Sequence, residues 1–351
     1  MNAKQFVLLV IAAVVSSLLA IASWTFSEQW SQGTLAGSRL LPSFESDAAK
    51  VAAIEIRQGA NTLTLEKKGS GWGIKERAGY PADAEKVRGL LVRLSQADLL
   101  ETKTRKADRY PLIELEDPAG KDAKSRGIRA LDAKGGVLAD VVVGKRRADA
   151  FGAGKNATYV RKPGDVQTWL ASGEIDPPTA AREWVKPQVL ELDSATISKL
   201  TVELEGEEPL KVERVTEKDK DGKETTNKIV FAAFPPEGKK LKDTYAADSL
   251  LRSAASIDLE DVRKAAATPS AKDTSKVSFE TAAGLKLAQT IRREEGGAAN
   301  WMSIVASGEG DAKKAADEIN ARTGGWEFKV APGKVESLLK KRADLLDDKA
   351  S

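Results

Sequence analysis

Apolar residues recur along this chain with two periods, and the helical period is clearest between Tyr80 and Thr104. In that stretch the residues at positions i, i+3, i+4 and i+7 are Val87, Leu90, Leu91 and Leu94. This spacing places all four side chains on one face of an α-helix. Pro81 and Asp83 precede these four residues and supply the turn and N-cap signals of a helix start. The pattern predicts an amphipathic helix that lies on a sheet as a lid.

The second period is the alternation of β-strands. Short apolar runs at Val51–Ile56 and Leu63–Leu65 flank the turn Gly59-Ala60-Asn61, which predicts a hairpin, and Trp72 with Ile74 continues it as a third strand. Further hairpins are predicted about Lys134-Gly135-Gly136 and Pro163-Gly164. The sequence therefore predicts an α+β fold whose sheets are mostly antiparallel.

The chain also repeats itself. An offset of 160 positions lays Ala84–Thr104 on Thr244–Lys264, and an offset of 146 lays Phe44–Ile56 on Leu190–Val202. A third copy is predicted near the C-terminus, where Gly325–Lys329 echoes Gly71–Lys75 and makes Trp326 equivalent to Trp72. Such duplication predicts two homologous units, each a mostly antiparallel sheet with a packed helix.

The N-terminal region has a different character. Phe6–Phe26 contains 21 consecutive uncharged residues, which is long enough to cross a bilayer core of about 30 Å. Lys4 precedes this run and Arg39 is the first cation after it, so the positive-inside rule places the N-terminus in the cytoplasm and the body outside the inner membrane. A cleaved signal peptide is the alternative, since Ala20-Ile21-Ala22 has the small-x-small form of a cleavage site.

These patterns give a domain organisation. We predict a transmembrane anchor at residues 1–27, a linker at 28–46, repeat unit 1 at 47–189, repeat unit 2 at 190–331 and a C-terminal helix at 332–351. The body is expected to be periplasmic and the chain a single-pass protein of the bacterial inner membrane.

Composition removes many kinds of chemistry. The chain has no cysteine and no histidine, which excludes disulfides, thiol nucleophiles, Ser-His-Asp triads and the usual zinc sites. Its 55 Lys and Arg are nearly balanced by 52 Asp and Glu, so the basic footprint of a nucleic-acid binder is missing. We therefore predict that the protein is not an enzyme, and we assign no catalytic, cofactor-binding or metal-binding residue.

Two stretches resemble ligand-binding loops but lack residues that the patterns of such loops require. Glu217–Gly222 has the acidic spacing of a calcium loop, but Lys228 stands where the bidentate glutamate is required. Gly152–Asn156 lacks the first glycine and the Ser or Thr of a phosphate loop. A basic cluster of Lys103, Arg105, Lys106 and Arg109 is either a solvated helix end or a contact for anionic headgroups or for an acidic surface of a partner.

Taken together, the longer patterns resemble the bacterial family called domain of unknown function 4340. The resemblance covers nearly the whole chain and depends on the N-terminal apolar helix, Leu40-Leu41-Pro42, Val51 with Ile54-Glu55-Ile56, Gly79–Asp83 with Lys86-Val87 and Leu90-Leu91, Lys103-Thr104, Asp117-Pro118, Val143-Gly144-Lys145, Tyr159-Val160-Arg161, Gln167 and Trp169-Leu170. The chain departs from the family pattern at the acidic insertion Glu217–Glu224 and at Ile113-Glu114-Leu115.

The resemblance implies a function by association. Members of that family resemble, in genomic setting, accessory subunits encoded beside a gliding-motility-type ABC transporter. The expected function is thus that of a membrane-anchored periplasmic accessory subunit, which contacts the transporter permease, its ATPase and an auxiliary subunit. The alternative is a periplasmic module that binds a ligand or an envelope polymer. The family has no assigned catalytic residues to carry over.

Overall fold

The computed structural model describes residues 37–218, 224–266, 274–294, 297 and 299–347 of the chain. Contacts divide the chain into two compact units between Ala180 and Ala181. Both units combine helices with antiparallel sheets, so the predicted α+β class is confirmed. The apolar run Phe6–Phe26 lies outside the described residues, and within them we find no helix with the length and hydropathy of a membrane span.

Unit 1 is built on one ten-stranded sheet. Its elements are β1 (Ser38–Arg39), α1 (Phe44–Asp47), β2 (Ala53–Gln58), β3 (Asn61–Lys68), β4 (Gly71–Ile74), β5 (Tyr80–Pro81), α2 (Ala84–Gln96), β6 (Asp98–Thr102), β7 (Arg126–Leu131), β8 (Val137–Arg147), β9 (Ala157–Arg161) and β10 (Thr168–Ser172), with 3₁₀ helices at Ala48–Lys50, Lys75–Arg77 and Ala107–Ile113. The strand order is β1-β6-β10-β9-β8-β7-β2-β3-β4-β5.

Helix α2 is the amphipathic helix that the sequence predicts. The Asp83 carboxylate caps its N-terminus by accepting a hydrogen bond from the Glu85 amide at 3.0 Å. Val87, Leu90 and Leu94 are fully buried, whereas Leu91 is only partly buried. The helix packs against α1 and β4, and thus covers one face of the sheet.

Unit 2 contains an eight-stranded sheet and a separate two-stranded ribbon. Its elements are β11 (Gln188–Glu191), β12 (Ile197–Glu203), β13 (Leu210–Lys218), β14 (Glu224–Phe231), α3 (Ala246–Ala255), β15 (Ser256–Asp258), β16 (Asp261–Lys264), β17 (Thr274–Thr281), β18 (Lys286–Arg293), β19 (Asn300–Ser307), α4 (Asp311–Thr323), β20 (Trp326–Val330), α5 (Pro332–Leu338) and α6 (Arg342–Leu345), with 3₁₀ helices at Ala181–Trp184 and Ser194–Thr196. The sheet order is β14-β13-β12-β17-β18-β19-β20-β16, and β11 pairs with β15.

The two large sheets have the same strand order. The series β4-β3-β2-β7-β8-β9-β10-β6 of unit 1 corresponds strand by strand to the whole sheet of unit 2, and α2 and α3 occupy the same place in the chain order. Their registers agree as well: the buried pair Ile56 and Ile128 of unit 1 corresponds to Val202 and Val277 of unit 2. The duplication that the sequence indicates is thus visible in the topology.

The third copy is not equivalent to the first in this topology. Strand β20, which carries Trp326, occupies the place of β10, which carries Trp169. The strand of Trp326 therefore corresponds to β10 and not to β4, where Trp72 lies, and within it the residue that strand pairing aligns with Trp169 is Phe328. A Gly-Trp strand followed by a helix occurs in two different places of the fold, and local sequence similarity does not distinguish them.

Three predicted boundaries differ from the structure. The predicted linker ends at Ser46, but β1 pairs with β6 and Phe44 is fully buried, so the body begins by Gly37. The predicted unit boundary follows position 189, but Trp184 is buried in unit 2 and the Pro187 carbonyl accepts the Leu259 amide at 2.8 Å. The single C-terminal helix is in fact α5 and α6, because the helical conformation is interrupted after Leu338.

Candidate functional site

One segment of unit 1 has no counterpart of similar length in unit 2. Residues 103–125, between β6 and β7, cross the face of the sheet opposite α2, and we call them the covering segment. The corresponding connection in unit 2, between β16 and β17, comprises only residues 265–273. Long loops inside compact domains are often functional, so this segment marks a candidate site in unit 1.

The covering segment is held by a small apolar cluster. Tyr110 and Leu115 pack with Val142 of β8, and Ile113 and Tyr159 pack against them. The Tyr110 hydroxyl donates a hydrogen bond to the Val166 carbonyl at 2.7 Å, which satisfies its polar atom at the edge of the cluster. This second, smaller core fixes the segment on the sheet.

Gly144 makes the close approach of the segment possible. A Cβ atom at this position on β8 would lie 2.4 Å from the carbonyl oxygens of Ile113 and Glu114. These are backbone atoms that cannot move out of the way without displacing the segment. The requirement for glycine here is therefore one of space, since the backbone of the segment lies directly on the strand.

An open cleft of about 480 Å³ lies between the covering segment and the outward face of the sheet. It is lined by residues from β2, β3, β7, β8 and β9, by the segment itself and by the turn after β9: Glu55, Arg57, Thr62, Asp117, Pro118, Ala119, Gly127, Arg129, Asp140, Val142, Arg161, Pro163 and Gly164. Three arginines and three carboxylates face it, so its charges balance. None of the described residues that line it is aromatic.

Arg129 links the charges at the floor of the cleft. Its Nη1 lies 3.3 Å from Glu55 Oε2, and its Nε lies 3.5 Å from Asp140 Oδ2. Partial burial raises the pKa of the Asp140 carboxyl above its ordinary value, Arg129 opposes this shift, and the Glu55 carboxylate adds to it. The three groups form a ladder across β2, β7 and β8, and each remains partly accessible to solvent.

Arg161 connects the covering segment to the wall of the cleft. Its guanidinium lies 5.0 Å from the centre of the Tyr110 ring, and its Nε donates a hydrogen bond to the Leu115 carbonyl at 3.4 Å. The face of Tyr110 is therefore occupied by a cation from the protein itself. Arg161 contributes positive charge to the cleft while holding the segment in place.

The matched positions of unit 2 carry small neutral residues. Strand pairing aligns Glu55, Arg129, Asp140 and Arg161 with Thr201, Ser278, Ala288 and Ser303. The same alignment places Arg292 at the position of Gly144. The charged ladder and the covering segment thus occur together in unit 1.

At the Gly144 position, unit 2 has a compact ionic cluster. The Glu327 side chain is 1% exposed and accepts from Arg263 Nε at 2.9 Å, and it also pairs with Arg292. The Arg263 guanidinium lies 3.9 Å from the centre of the Trp301 ring. Burial lowers the pKa of Arg292, and the charge of Arg263 lowers it further. We interpret this cluster as stabilising the fold, because its charged groups pair with one another and are not directed to a ligand.

The basic cluster and the calcium-like stretch that the sequence analysis identified are not among the residues that line the cleft. The basic cluster follows β6, at the start of the covering segment, and so does not lie at an end of helix α2. In it Lys103 pairs with Glu101, whereas Arg105, Lys106 and Arg109 are exposed. The calcium-like stretch lies largely outside the described residues, and among those that are described no group of acidic side chains is arranged to hold a metal ion.

Sequence reasoning missed the cleft altogether. Its charged residues occupy alternate positions between buried apolar ones, as Glu55 does between Ile54 and Ile56, and this pattern is the ordinary signature of a solvated sheet face. Only the pairing of β2 with β7 brings Glu55 to Arg129. An available signal was the length of the connection between β6 and β7 compared with its counterpart in the repeat.

A family model matches the central part of the chain. The family model described as Domain of unknown function (DUF4340) matches residues 72–277, which is more than half of the chain. The chain belongs to this family. The matched region includes the covering segment and the cleft residues on β7, β8 and β9, while Glu55, Arg57 and Thr62 precede it. Neither curated proteins nor solved structures yield a match to this DUF4340 chain.

Proposed function

We propose that this protein is a single-pass protein of the bacterial inner membrane whose periplasmic body is an accessory subunit of an ABC transporter and acts by protein–protein contact. The uncharged run Phe6–Phe26 supports the anchor, and Lys4 supports the orientation. The proposal requires no catalytic activity of the chain. In it, the cleft of unit 1 is the contact site for a partner protein.

The observation that carries the contact is the composition of the cleft. It presents guanidinium donors and carboxylate acceptors side by side in an opening of about 480 Å³. A segment of a partner protein, with its own donors, acceptors and charges, can match both signs at once, and such complementarity gives specificity. The second candidate, an envelope-polymer binder, is less well supported because sugar rings are commonly stacked on aromatic faces, and the described residues of the lining provide none.

The partner can be tested by recovery from gently solubilised membranes. The full chain should bring down an ATPase and a permease reproducibly. The double variant Arg129→Ser with Arg161→Ser gives unit 1 the small polar residues that unit 2 has at these positions, and it should lose both partners. Ser278→Ala with Ser303→Ala is the matched control in unit 2 and should keep them.

Other outcomes would redirect the proposal. Recovery of glycan without a transporter would favour the polymer-binding function. Retention of both partners by the double variant, with an unfolding transition like that of the wild type, would show that the cleft is not the contact site. The topology is tested separately by alkaline phosphatase fused after Ser351, which should be active, whereas an inactive fusion would overturn the periplasmic placement.

A further inference from the structure

The 3₁₀ helix Ala107–Ile113 of the covering segment has two different edges. A 3₁₀ helix has three residues per turn, so residues three apart lie above one another. Tyr110 and Ile113 lie on the edge that packs onto the sheet, and Tyr110 is 9% exposed. Arg109 and Leu112 lie on the next edge, and Leu112 is 74% exposed. The helix therefore displays a leucine beside a cation on a firmly anchored support.

Further exposed residues extend this edge. Arg105 and Lys106 precede the helix, and among the described residues the cationic groups of Arg105, Lys106 and Arg109 have no ion-pair or hydrogen-bond partner, while the Lys106 backbone amide donates to Thr104 Oγ1 at 3.1 Å. Val166, which is 52% exposed, lies beside this helix, because its carbonyl accepts the Tyr110 hydroxyl. We call this surface the basic ridge, and it comprises Arg105, Lys106, Arg109, Leu112 and Val166.

The basic ridge lies at the end of the sheet where the N-terminal region enters the body. Strand β1 is antiparallel to β6, and the Gly37 amide donates to the Leu99 carbonyl at 2.7 Å. The chain before Gly37 and the chain after Thr102 therefore leave the sheet at the same end. Residues 27–36 connect this point to the apolar run and span at most about 35 Å when fully extended. This end of the sheet, with the ridge, consequently lies within about 35 Å of Phe26, and so close to any surface into which the apolar run inserts.

We propose that the basic ridge contacts the anionic lipid headgroups of a membrane. This inference takes its membrane from the anchor in the proposed function. Clustered Lys and Arg side chains attract anionic lipids, and aliphatic side chains among them can enter the interfacial region. An acidic protein surface would match the cations equally well, but it would not explain why they share an end of the sheet with the entry of the chain.

The absence of cysteine makes a site-specific probe straightforward. Val166→Cys in the full chain, labelled with an environment-sensitive dye, would be reconstituted into vesicles of phosphatidylcholine alone or mixed with phosphatidylglycerol. The dye emission should shift to the blue in the anionic vesicles, and lipids that carry a spin label in the headgroup should quench it. Both effects should fall to the neutral-lipid level in about 1 M salt, where the screening length is only about 3 Å.

Two controls make the result specific. Adding Arg105→Gln, Lys106→Gln and Arg109→Gln should abolish the response to lipid charge. Phe151→Cys provides a matched probe, because Phe151 is 42% exposed in the loop between β8 and β9, at the opposite end of the strands, and it should stay unresponsive. Equal emission from Val166→Cys in neutral and anionic vesicles would overturn the proposal, as would a response that survives the triple substitution.

The vesicle experiments also test this inference separately from the proposed function. No partner protein is present in the vesicles, so failure of the transporter recovery would leave the dye result intact. Flotation with neutral vesicles tests the anchor alone, and an untethered chain can still show the charge-dependent shift with anionic ones. A dye that ignores vesicles but responds to purified permease and ATPase would assign the ridge to a protein partner and refute lipid contact.

Discussion

The outward faces of the two large sheets carry different residues on the same fold. In unit 1, Gly144 lets a long segment lie across the strands, and the uncovered part of the face carries the ladder of Glu55, Arg129 and Asp140. In unit 2, the Gly144 position holds Arg292, which pairs with the buried Glu327, and the ladder positions are small and neutral. The same face of unit 2 also has an opening, of about 350 Å³, which is lined by the small residues Thr201, Ser278 and Ala288. The shared topology thus sets the scaffold, while outward-facing residues decide which charges the opening presents.

The largest predicted effect concerns the ionic cluster of unit 2. Glu327→Gln keeps the shape of the side chain but leaves the mostly buried Arg292 without its charge partner, which should lower the free energy of unfolding by about 3–5 kcal/mol. Urea unfolding followed by tryptophan fluorescence would measure the loss. Glu294→Gln is the control, since this half-exposed partner of Arg263 should contribute less than about 1 kcal/mol. Equal effects of the two changes would contradict a structural role for the cluster.

The helix on the other face offers the next comparison. Leu251 on α3 is 2% exposed, so Leu251→Ala should cost about 2–5 kcal/mol in the free energy of unfolding. Leu91 is its sequence equivalent on α2 but is only partly buried, so Leu91→Ala should cost about 1 kcal/mol. Denaturant titration of the two variants would rank them. A larger loss from Leu91→Ala would show that the helices do not pack as their burial indicates.

Gly144 provides the test of how unit 1 accommodates its covering segment. Gly144→Ala would push a methyl group against two backbone carbonyls and should destabilise the chain by about 1–3 kcal/mol. Gly71→Ala on β4 serves as the control, because a Cβ there would have its nearest neighbour at 3.9 Å. Thermal unfolding should therefore distinguish the two glycines. Similar midpoints would mean that the segment yields easily and does not depend on Gly144.

The smallest predicted effect is a pH dependence from the ladder. The pKa of Asp140 is raised in the folded chain above the ordinary 3.8, so its contribution to stability falls as the pH rises from 3.8 through the folded pKa. Asp140→Asn should remove this decline, which is worth less than about 1 kcal/mol because the carboxyl is only partly buried.

Asp132 should behave in the opposite direction. Its carboxylate accepts hydrogen bonds from the amides of Gly136 and Lys134, which lower its pKa, so its contribution is present above pH 3.8 and is lost as the pH falls. Free energies of unfolding measured across this range for the Asp140→Asn and Asp132→Asn variants should change with opposite slopes relative to the wild type. Parallel curves would mean that the ladder does not perturb Asp140.

Local elements of this fold could be predicted from the sequence because their signals are local. The stripe of Val87, Leu90 and Leu94 and the turn at Gly59-Ala60 are contained within a few residues of the elements that they define. The 160-residue offset also indicated that the topology would repeat. Short elements escaped prediction, as β1 did, because two residues carry no period and their pairing with β6 depends on the rest of the sheet.

The cleft could not be predicted in the same way. Glu55 and Arg129 meet only through strand pairing between distant parts of the chain, and Arg161 is aimed by its contact with Tyr110. The similarity between Gly71–Lys75 and Gly325–Lys329 was misleading for a related reason. A strand's place in a sheet is set by its partners, and those partners are not visible in five residues of sequence.

Strand β1 has a mechanical consequence on the proposed topology. Any force transmitted from the membrane reaches the body first at Ser38 and Arg39, which pair with β6 at the edge of the sheet. Antiparallel hydrogen bonds run perpendicular to the strands, so a pull along β1 stretches its bonds together instead of opening them one by one. Leu40 and Phe44 are buried directly behind this strand and would stop any peeling from advancing. If the proposed topology holds, the first residues of the body would therefore bear a pull from the membrane before it reached the cleft.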